Sequence, residues 1–182
     1  MIQVKDKYFE MLISHEELQT KISSLAQNIN HDYQAKRPLF IAILNGSFMF
    51  ASDLLKEVDI ECEISFVKVA SYEEMESSGN VKQLIGLNEN IFNRHVIIVE
   101  DIIDTGKTIS KMLDEFNSLG ASSVEVVSLF QKPKSANIQK NIKYVGFELP
   151  DSFVLGYGLD YDGLGRNLKD LYNLVESPAT HE

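Results

Sequence analysis

The chain is poor in the residues that staple, kink or anchor a protein. It has one cysteine, Cys62, among 182 residues. That excludes an intramolecular disulfide and a multi-cysteine zinc site, and fits a reducing compartment or an indifferent one. Four prolines and ten glycines exclude a collagen-like or low-complexity composition. No apolar run approaches the roughly 20 residues of a membrane span, and the opening Met1 to Leu12 lacks the continuous apolar centre of a signal peptide. A cytoplasmic protein with no membrane partner is expected. Basic side chains are scarce as well: 17 against 27 acidic ones, a net charge of −10. This excludes the broad basic face that nucleic acid needs. It does not exclude a small anion held by backbone amides, a few local cations and a metal.

What is present is an ordinary soluble composition, 44% hydrophobic and 24% charged, long enough to bury about 70% of its unfolded surface in one core. Ser14 and Glu17 form a capping-box pair, and Leu18, Ile22, Leu25, Ala26 and Ile29 follow at helical spacing. Beyond them apolar runs alternate with helical patterns. Leu39 to Leu44 is a strand, Phe50 to Leu55 a helix, and Ile64 to Ala70 a strand. After a polar stretch, Tyr72 to Lys82, Val96 to Val99 is another strand. The next helix carries Ile109, Met112, Leu113 and Phe116 and closes at Gly120, and Val124 to Phe130 is a further strand. Continuously apolar strands separated by amphipathic helices mark a parallel sheet covered on both faces. The fold class is therefore α/β, in three layers. Beyond Lys132 the pattern shortens to β-type pieces at Tyr144 to Phe147 and Phe153 to Tyr157, suggesting a small accessory lobe. The tail 176–182, with Pro178 and little to bury, is expected to be flexible.

One stretch concentrates chemistry: Val96 to Val99, then Glu100, Asp101, Ile102, Ile103, Asp104, Thr105, Gly106, Lys107 and Thr108. A buried strand runs into acids, then into a glycine-containing turn that opens a helix. Ligands of open α/β sheets bind beyond the carboxyl ends of strands, and the amides at a helix start, with the hydroxyls of Thr105 and Thr108, suit a phosphate. A nucleotide-triphosphatase loop would need glycine where Asp101 stands. Two adjacent carboxylates beside a phosphate need a counterpart of their own, either vicinal hydroxyls or a divalent cation.

Val99 to Thr108 resembles the phosphoribosyl-pyrophosphate motif of the type I phosphoribosyltransferases, in its hypoxanthine-guanine form. Leu44-Asn45-Gly46-Ser47 resembles that family's pyrophosphate loop, Ser71-Tyr72 the start of its mobile lid, and Lys132-Pro133 the position of its purine-reading lysine. Val145 to Tyr161 resembles its purine pocket, with Arg166 shortly after. The resemblance covers about Leu39 to Leu174. It implies a three-layer fold with a central parallel sheet and a hood, in a single domain over 1–175: a core of about 14–131, and a hood drawn from 132–175 and the N-terminus. It implies transfer of the 5-phosphoribosyl group from phosphoribosyl pyrophosphate to a 6-oxopurine with Mg²⁺. Asp104 would be the general acid/base near purine N7. Glu100 and Asp101 would hold the ribose hydroxyls and, with Asp160, the metal. Thr105, Gly106, Lys107 and Thr108 would bind the 5-phosphate, and Asn45, Gly46 and Arg166 the pyrophosphate. Lys132, Phe153, Val154 and Asp160 would surround the purine, and a lid opened by Ser71 and Tyr72 would exclude water. The resemblance further implies a cis peptide after Leu44 and a homodimer or homotetramer. Two alternatives stand beside it: a regulator of the same fold that senses phosphoribosyl pyrophosphate and controls nucleic acid, and a transferase acting on adenine or a pyrimidine. The choice among hypoxanthine, guanine and xanthine leaves no mark on a side chain.

Overall fold

The computed structural model describes residues 1–69, 83–133 and 142–177. Two sheets organise the chain. The larger has six strands in the order β5-β4-β3-β6-β7-β8: β3 (Leu39–Leu44), β4 (Glu63–Val69), β5 (Gln83–Ile85), β6 (His95–Ile103), β7 (Ser123–Gln131) and β8 (Ile142–Glu148). Five of these run parallel, from β4 to β8, and only the short edge strand β5 is antiparallel. The smaller sheet is antiparallel, β1-β2-β10-β9. It joins β1 (Ile2–Val4) and β2 (Lys7–Ile13) to β9 (Val154–Leu155) and β10 (Leu171–Val175).

The middle strands β3 and β6 are apolar on both sides because both sides are covered. Phe40 and Ala42 of β3 belong to one buried cluster with Leu18, Ile22 and Ile29 of α1 (His15–Asp32) and Phe50 and Leu54 of α2 (Phe48–Glu57). Leu39, Ile41 and Ile43 belong to a second cluster with Ile109, Met112, Leu113 and Phe116 of α3 (Lys107–Ser118). The one-residue alternation of a strand thus sorts its side chains between two helix layers. α1 starts at the capping box foreseen in the sequence: Ser14 Oγ accepts from the Glu17 amide, and the Glu17 carboxylate accepts from the Ser14 amide.

Two features differ from the sequence reading. The expected division placed all of 132–175 in the hood, but Ile142–Glu148 is a strand of the large sheet, parallel to β7. Its alternating pattern is that of an outer strand with one less covered side, so it lacks the continuous apolar run that marks its neighbours. The strand expected to end at Val99 also continues to Ile103, because β7 keeps pairing with it as far as Gln131. Backbone pairing does not depend on side-chain polarity, so the ladder runs on past Glu100 to Ile103. Among the described residues no helix is long and apolar enough to cross a membrane.

Candidate active site

The connection β3-α2-β4 leads to one side of the sheet and β6-α3-β7 to the other. The chain therefore diverges between β3 and β6, and a crevice opens at their carboxyl ends. There α3 is preceded by Gly106, at φ 73 and ψ 4, with no side-chain hydrogen bond at the cap. That left-handed conformation suits glycine, and the first-turn amides of a helix lack helical acceptors. Asp104, Thr105, Gly106, Lys107 and Thr108 line a cleft of about 460 Å³ with Glu100 and the apolar Ile43, Val69, Ile102, Ile103 and Ile109. Amides, hydroxyls and a lysine around a helix start form a cradle for a phosphate-sized anion.

Glu100 and Asp101 are both buried, at 8% exposure, inside β6 rather than beyond it. The alternation that sends Val96 and Ile98 to the α3 side and Ile97 and Val99 to the other is inverted after them, with Ile102 on the α1/α2 side and Ile103 on the α3 side. The two neighbouring carboxyls consequently interact instead of pointing to opposite faces. Burial, and then the charge of Asp101, pushes the Glu100 carboxyl well above its ordinary value. Burial also raises Asp101, opposed by a hydrogen bond from the Ile102 amide at 2.8 Å and by the charge of Arg166. Such a pair is relieved by a cation or by hydroxyl donors.

Asp104 stands exposed at the cleft mouth, and its Oδ2 lies 3.7 Å from Nζ of the largely buried Lys132. Lys132 follows β7 and is fixed by its own amide, which donates to Ile103 O at 2.9 Å. A carboxylate and an ammonium from the ends of adjacent strands are thus presented together, one able to take a proton and the other to donate to an oxygen.

A second corner faces this one. The Leu44–Asn45 peptide is cis. Gly46 lies so close to Asp101 that a Cβ there would fall 1.6 Å from Oδ2, and Gly158, at φ 99, presses on the Gly46 carbonyl, 2.1 Å from where its own Cβ would be. Arg166 donates through Nη1 to Gly158 O at 2.7 Å and pairs through Nη2 with Asp160 Oδ1 at 2.7 Å. The other Asp160 oxygen accepts from the Gly163 amide at 2.7 Å. Residues from three distant segments, Gly46, Asp101, and the trio Gly158, Asp160 and Arg166, therefore meet through close contacts, and a guanidinium sits among them.

Phe153 is 40% exposed and leans on Phe9 of β2 and on Tyr161 of the loop after β9, 6.3 Å and 5.8 Å away between ring centres. Val154 is buried, opposite Asn173 in β9-β10. Neither lines the cleft. Ser71 and Tyr72 lie outside the described residues, as do 178–182. Three kinds of residue escaped the sequence reading. The apolar cleft wall looks like any core. Gly158 is distinguishable only by its conformation. Asp53, which receives the Tyr157 hydroxyl behind the corner at 2.6 Å, looks like any helix-surface acid. The Gly156-Tyr157-Gly158 pattern was the one available signal. Among the described residues no three His, Cys, Asp or Glu side chains form a metal cage.

The comparisons with known proteins fit this geometry. Residues 10–162 match the phosphoribosyl transferase domain family. The chain is 42% identical over 160 residues to the bifunctional protein TilS/HprT of Listeria monocytogenes; the match takes in 87% of this chain, which spans only 25% of that longer protein. It is 40% identical over 174 residues to the hypoxanthine-guanine phosphoribosyltransferase of Bacillus subtilis, covering 95% of this chain and 96% of the relative. A crystal structure of a hypoxanthine phosphoribosyltransferase from Staphylococcus aureus superposes with a TM-score of 0.85 at 40% identity, over 94% of this chain and 93% of the other. With the crevice between β3 and β6, the phosphate turn after β6 and this agreement over nearly its whole length, the chain belongs to the phosphoribosyltransferase family, in its hypoxanthine-guanine branch.

Proposed function

We propose that the protein transfers the 5-phosphoribosyl group of phosphoribosyl pyrophosphate to hypoxanthine and to guanine, giving IMP and GMP with release of pyrophosphate, a purine-salvage reaction. The observation that carries the reading is the pairing of Asp104 with Lys132 at the mouth of the phosphate turn. The Thr105 to Thr108 turn would hold the 5-phosphate, and Glu100 and Asp101 the ribose hydroxyls. The purine would lie over Asp104, its 6-oxo group taking the Lys132 ammonium, with Phe153 and the backbone of Val154 at its edge. N9 then attacks C1′ as the bond from C1′ to pyrophosphate breaks, and the N7 proton passes to Asp104. A positioned base of this kind contributes about 10² to 10⁴ in rate. Adenine carries a donor at C6 and would leave Lys132 on Asp104.

Mg²⁺ fits the donors present. Glu100, Asp101 and Asp160 offer hard oxygens, and the lack of a cage built by protein alone, among the described residues, suits an ion that takes one or two carboxylates and completes its shell with substrate oxygens. When bound, the ion would neutralise charge growing on pyrophosphate. Arg166, with Asn45 and Gly46, would hold that leaving group, and Asp160 would exchange Arg166 for the metal. The lid assigned to Ser71 and Tyr72 would exclude water. We place the protein in the cytoplasm, in line with the absence of a signal-like apolar segment at its start. We also expect self-association, supported by Ile64 and Phe66, exposed on the same side of β4.

The test is pyrophosphate release from Mg²⁺, phosphoribosyl pyrophosphate and each of hypoxanthine, guanine, xanthine, adenine and uracil. Turnover with hypoxanthine and guanine is expected. Silence with every base, from protein that still binds phosphoribosyl pyrophosphate, would replace the enzyme with a sensor.

A further inference from the structure

Behind the second corner lies a turn whose backbone is held against its own preference. Tyr157 has φ 47, between Gly156 at φ 100 and Gly158 at φ 99. A bulky residue persists in that region only where its surroundings over-determine it. Here they do. The ring is wholly buried in the cluster formed with α1 and α2, and the hydroxyl donates to Asp53 Oδ2 at 2.6 Å. Gln19 donates to the same oxygen at 2.9 Å, and Lys56 pairs with the other at 2.8 Å. Burial would push the Asp53 carboxyl up, yet these three donors together hold it below its ordinary value. It therefore remains an anionic acceptor for the phenol, and a charged acceptor makes the stronger bond.

The two ends of this bond belong to the two halves of the corner. Asp53 lies on α2, the helix that leaves Asn45-Gly46-Ser47. Tyr157 adjoins Gly158, which presses on the Gly46 carbonyl and accepts Arg166. We propose that the Tyr157 to Asp53 hydrogen bond is a positioning element for pyrophosphate, setting the separation between the Gly46 loop and the Arg166 guanidinium. The inference rests on reading that corner as the pyrophosphate site. Neither side chain lines the cleft; Tyr157 acts through Gly158 and Asp53 through α2 and the Gly46 loop. The base is met by Asp104 and Lys132 and by Phe153 and Val154, at the start of β9 ahead of the turn, so the effect is expected to fall chiefly on phosphoribosyl pyrophosphate.

Tyr157→Phe keeps the buried ring and removes only the donor. In full-length protein with Mg²⁺, the Kd for phosphoribosyl pyrophosphate by calorimetry and its KM are expected to rise about tenfold, the scale of one charged hydrogen bond. The KM for hypoxanthine should stay within about twofold. Asp53→Asn, which retains a carbonyl acceptor, should fall between wild type and Tyr157→Phe. Adding Asp53→Asn to Tyr157→Phe should cost nothing further, because coupled partners are not additive. Thermal melts of each variant accompany the binding data. A lower Tm with unchanged Kd, or an equal rise in both KM values, would overturn the proposal and leave the bond a packing feature. Wild-type protein that binds phosphoribosyl pyrophosphate but turns over no base would sink the enzymatic reading, while the Kd comparison still judged the anchor.

Discussion

The two walls of the site are built in opposite ways. The phosphate wall, Asp104 to Thr108, is one continuous stretch whose shape follows from a strand end, a left-handed glycine and a helix start. The facing corner takes Gly46 from the turn after β3, Asp101 from β6, and Gly158, Asp160 and Arg166 from a loop near the small sheet. A local wall depends on bonds between sequence neighbours and survives changes elsewhere. An assembled corner depends on distant backbones meeting at van der Waals distance, so a single added methyl can spoil it. Damage to the first should appear in chemistry or phosphate binding; damage to the second should appear in stability and pyrophosphate handling together.

The sharpest break should come on the local wall. Asp104→Asn removes the proposed proton acceptor from a half-exposed position, so kcat should fall by about 10² to 10⁴ while the melting curve stays in place. Steady-state kinetics beside a thermal melt checks both, and an unchanged kcat would remove Asp104 from the chemistry. Across the cleft, Gly158→Ala would put a methyl 2.1 Å from the Gly46 carbonyl at a residue with φ 99. A strain of about 1 to 3 kcal/mol follows, which lowers Tm by roughly 2 to 4 °C for each kcal/mol and raises the KM for phosphoribosyl pyrophosphate. A corner that accepted this alanine without loss would be pliable, and the contrast between the walls would fail.

The acid pair lies between the walls and answers to pH. Burial raises Glu100 above its ordinary value, so the folded protein holds a proton that the unfolded chain releases. Without Mg²⁺, stability should therefore fall as pH rises from the ordinary carboxyl range, about 4.3 for Glu, through the raised folded value. Glu100→Gln should flatten that decline in a series of melts from acid to neutral pH. A decline equally steep in the variant would trace it to other groups. The smallest effect should come from Gly106→Ala, where the left-handed backbone, φ 73, costs about 1 kcal/mol. Its Tm shift should be smaller than that of Gly158→Ala, with a weaker grip on the 5-phosphate as the separable sign.

Much of the frame was legible because its signals are local. The Ser14 and Glu17 capping box needs only helix geometry, and both of its bonds are present. Gly120 takes the positive φ, 78°, of a helix stop, and the runs at Leu39 and Val96 announced strands buried on both faces. Where a strand's environment differed, the signal faded. β8 mixes polar and apolar residues, so its pattern groups it with the hood although it pairs with β7, and the pattern of β6 stops short at Glu100 and Asp101 although the strand runs on to Ile103. The contact of Gly46 with Asp101 and Gly158 leaves no periodicity at all, since it joins residues from three separate segments.

By itself the sequence determined the layers, the phosphate turn and, through its resemblance, the set of residues placed around the substrate. Periodicity, capping and glycine placement act over a few residues and are written in order along the chain. The tertiary structure alone decided that Glu100 and Asp101 share one buried environment, that Lys132 rests beside Asp104, and that Tyr157 reaches Asp53 behind the corner. Burial, charge proximity and steric contact between distant backbones depend on where the folded chain brings them, and no spacing along the sequence encodes that distance.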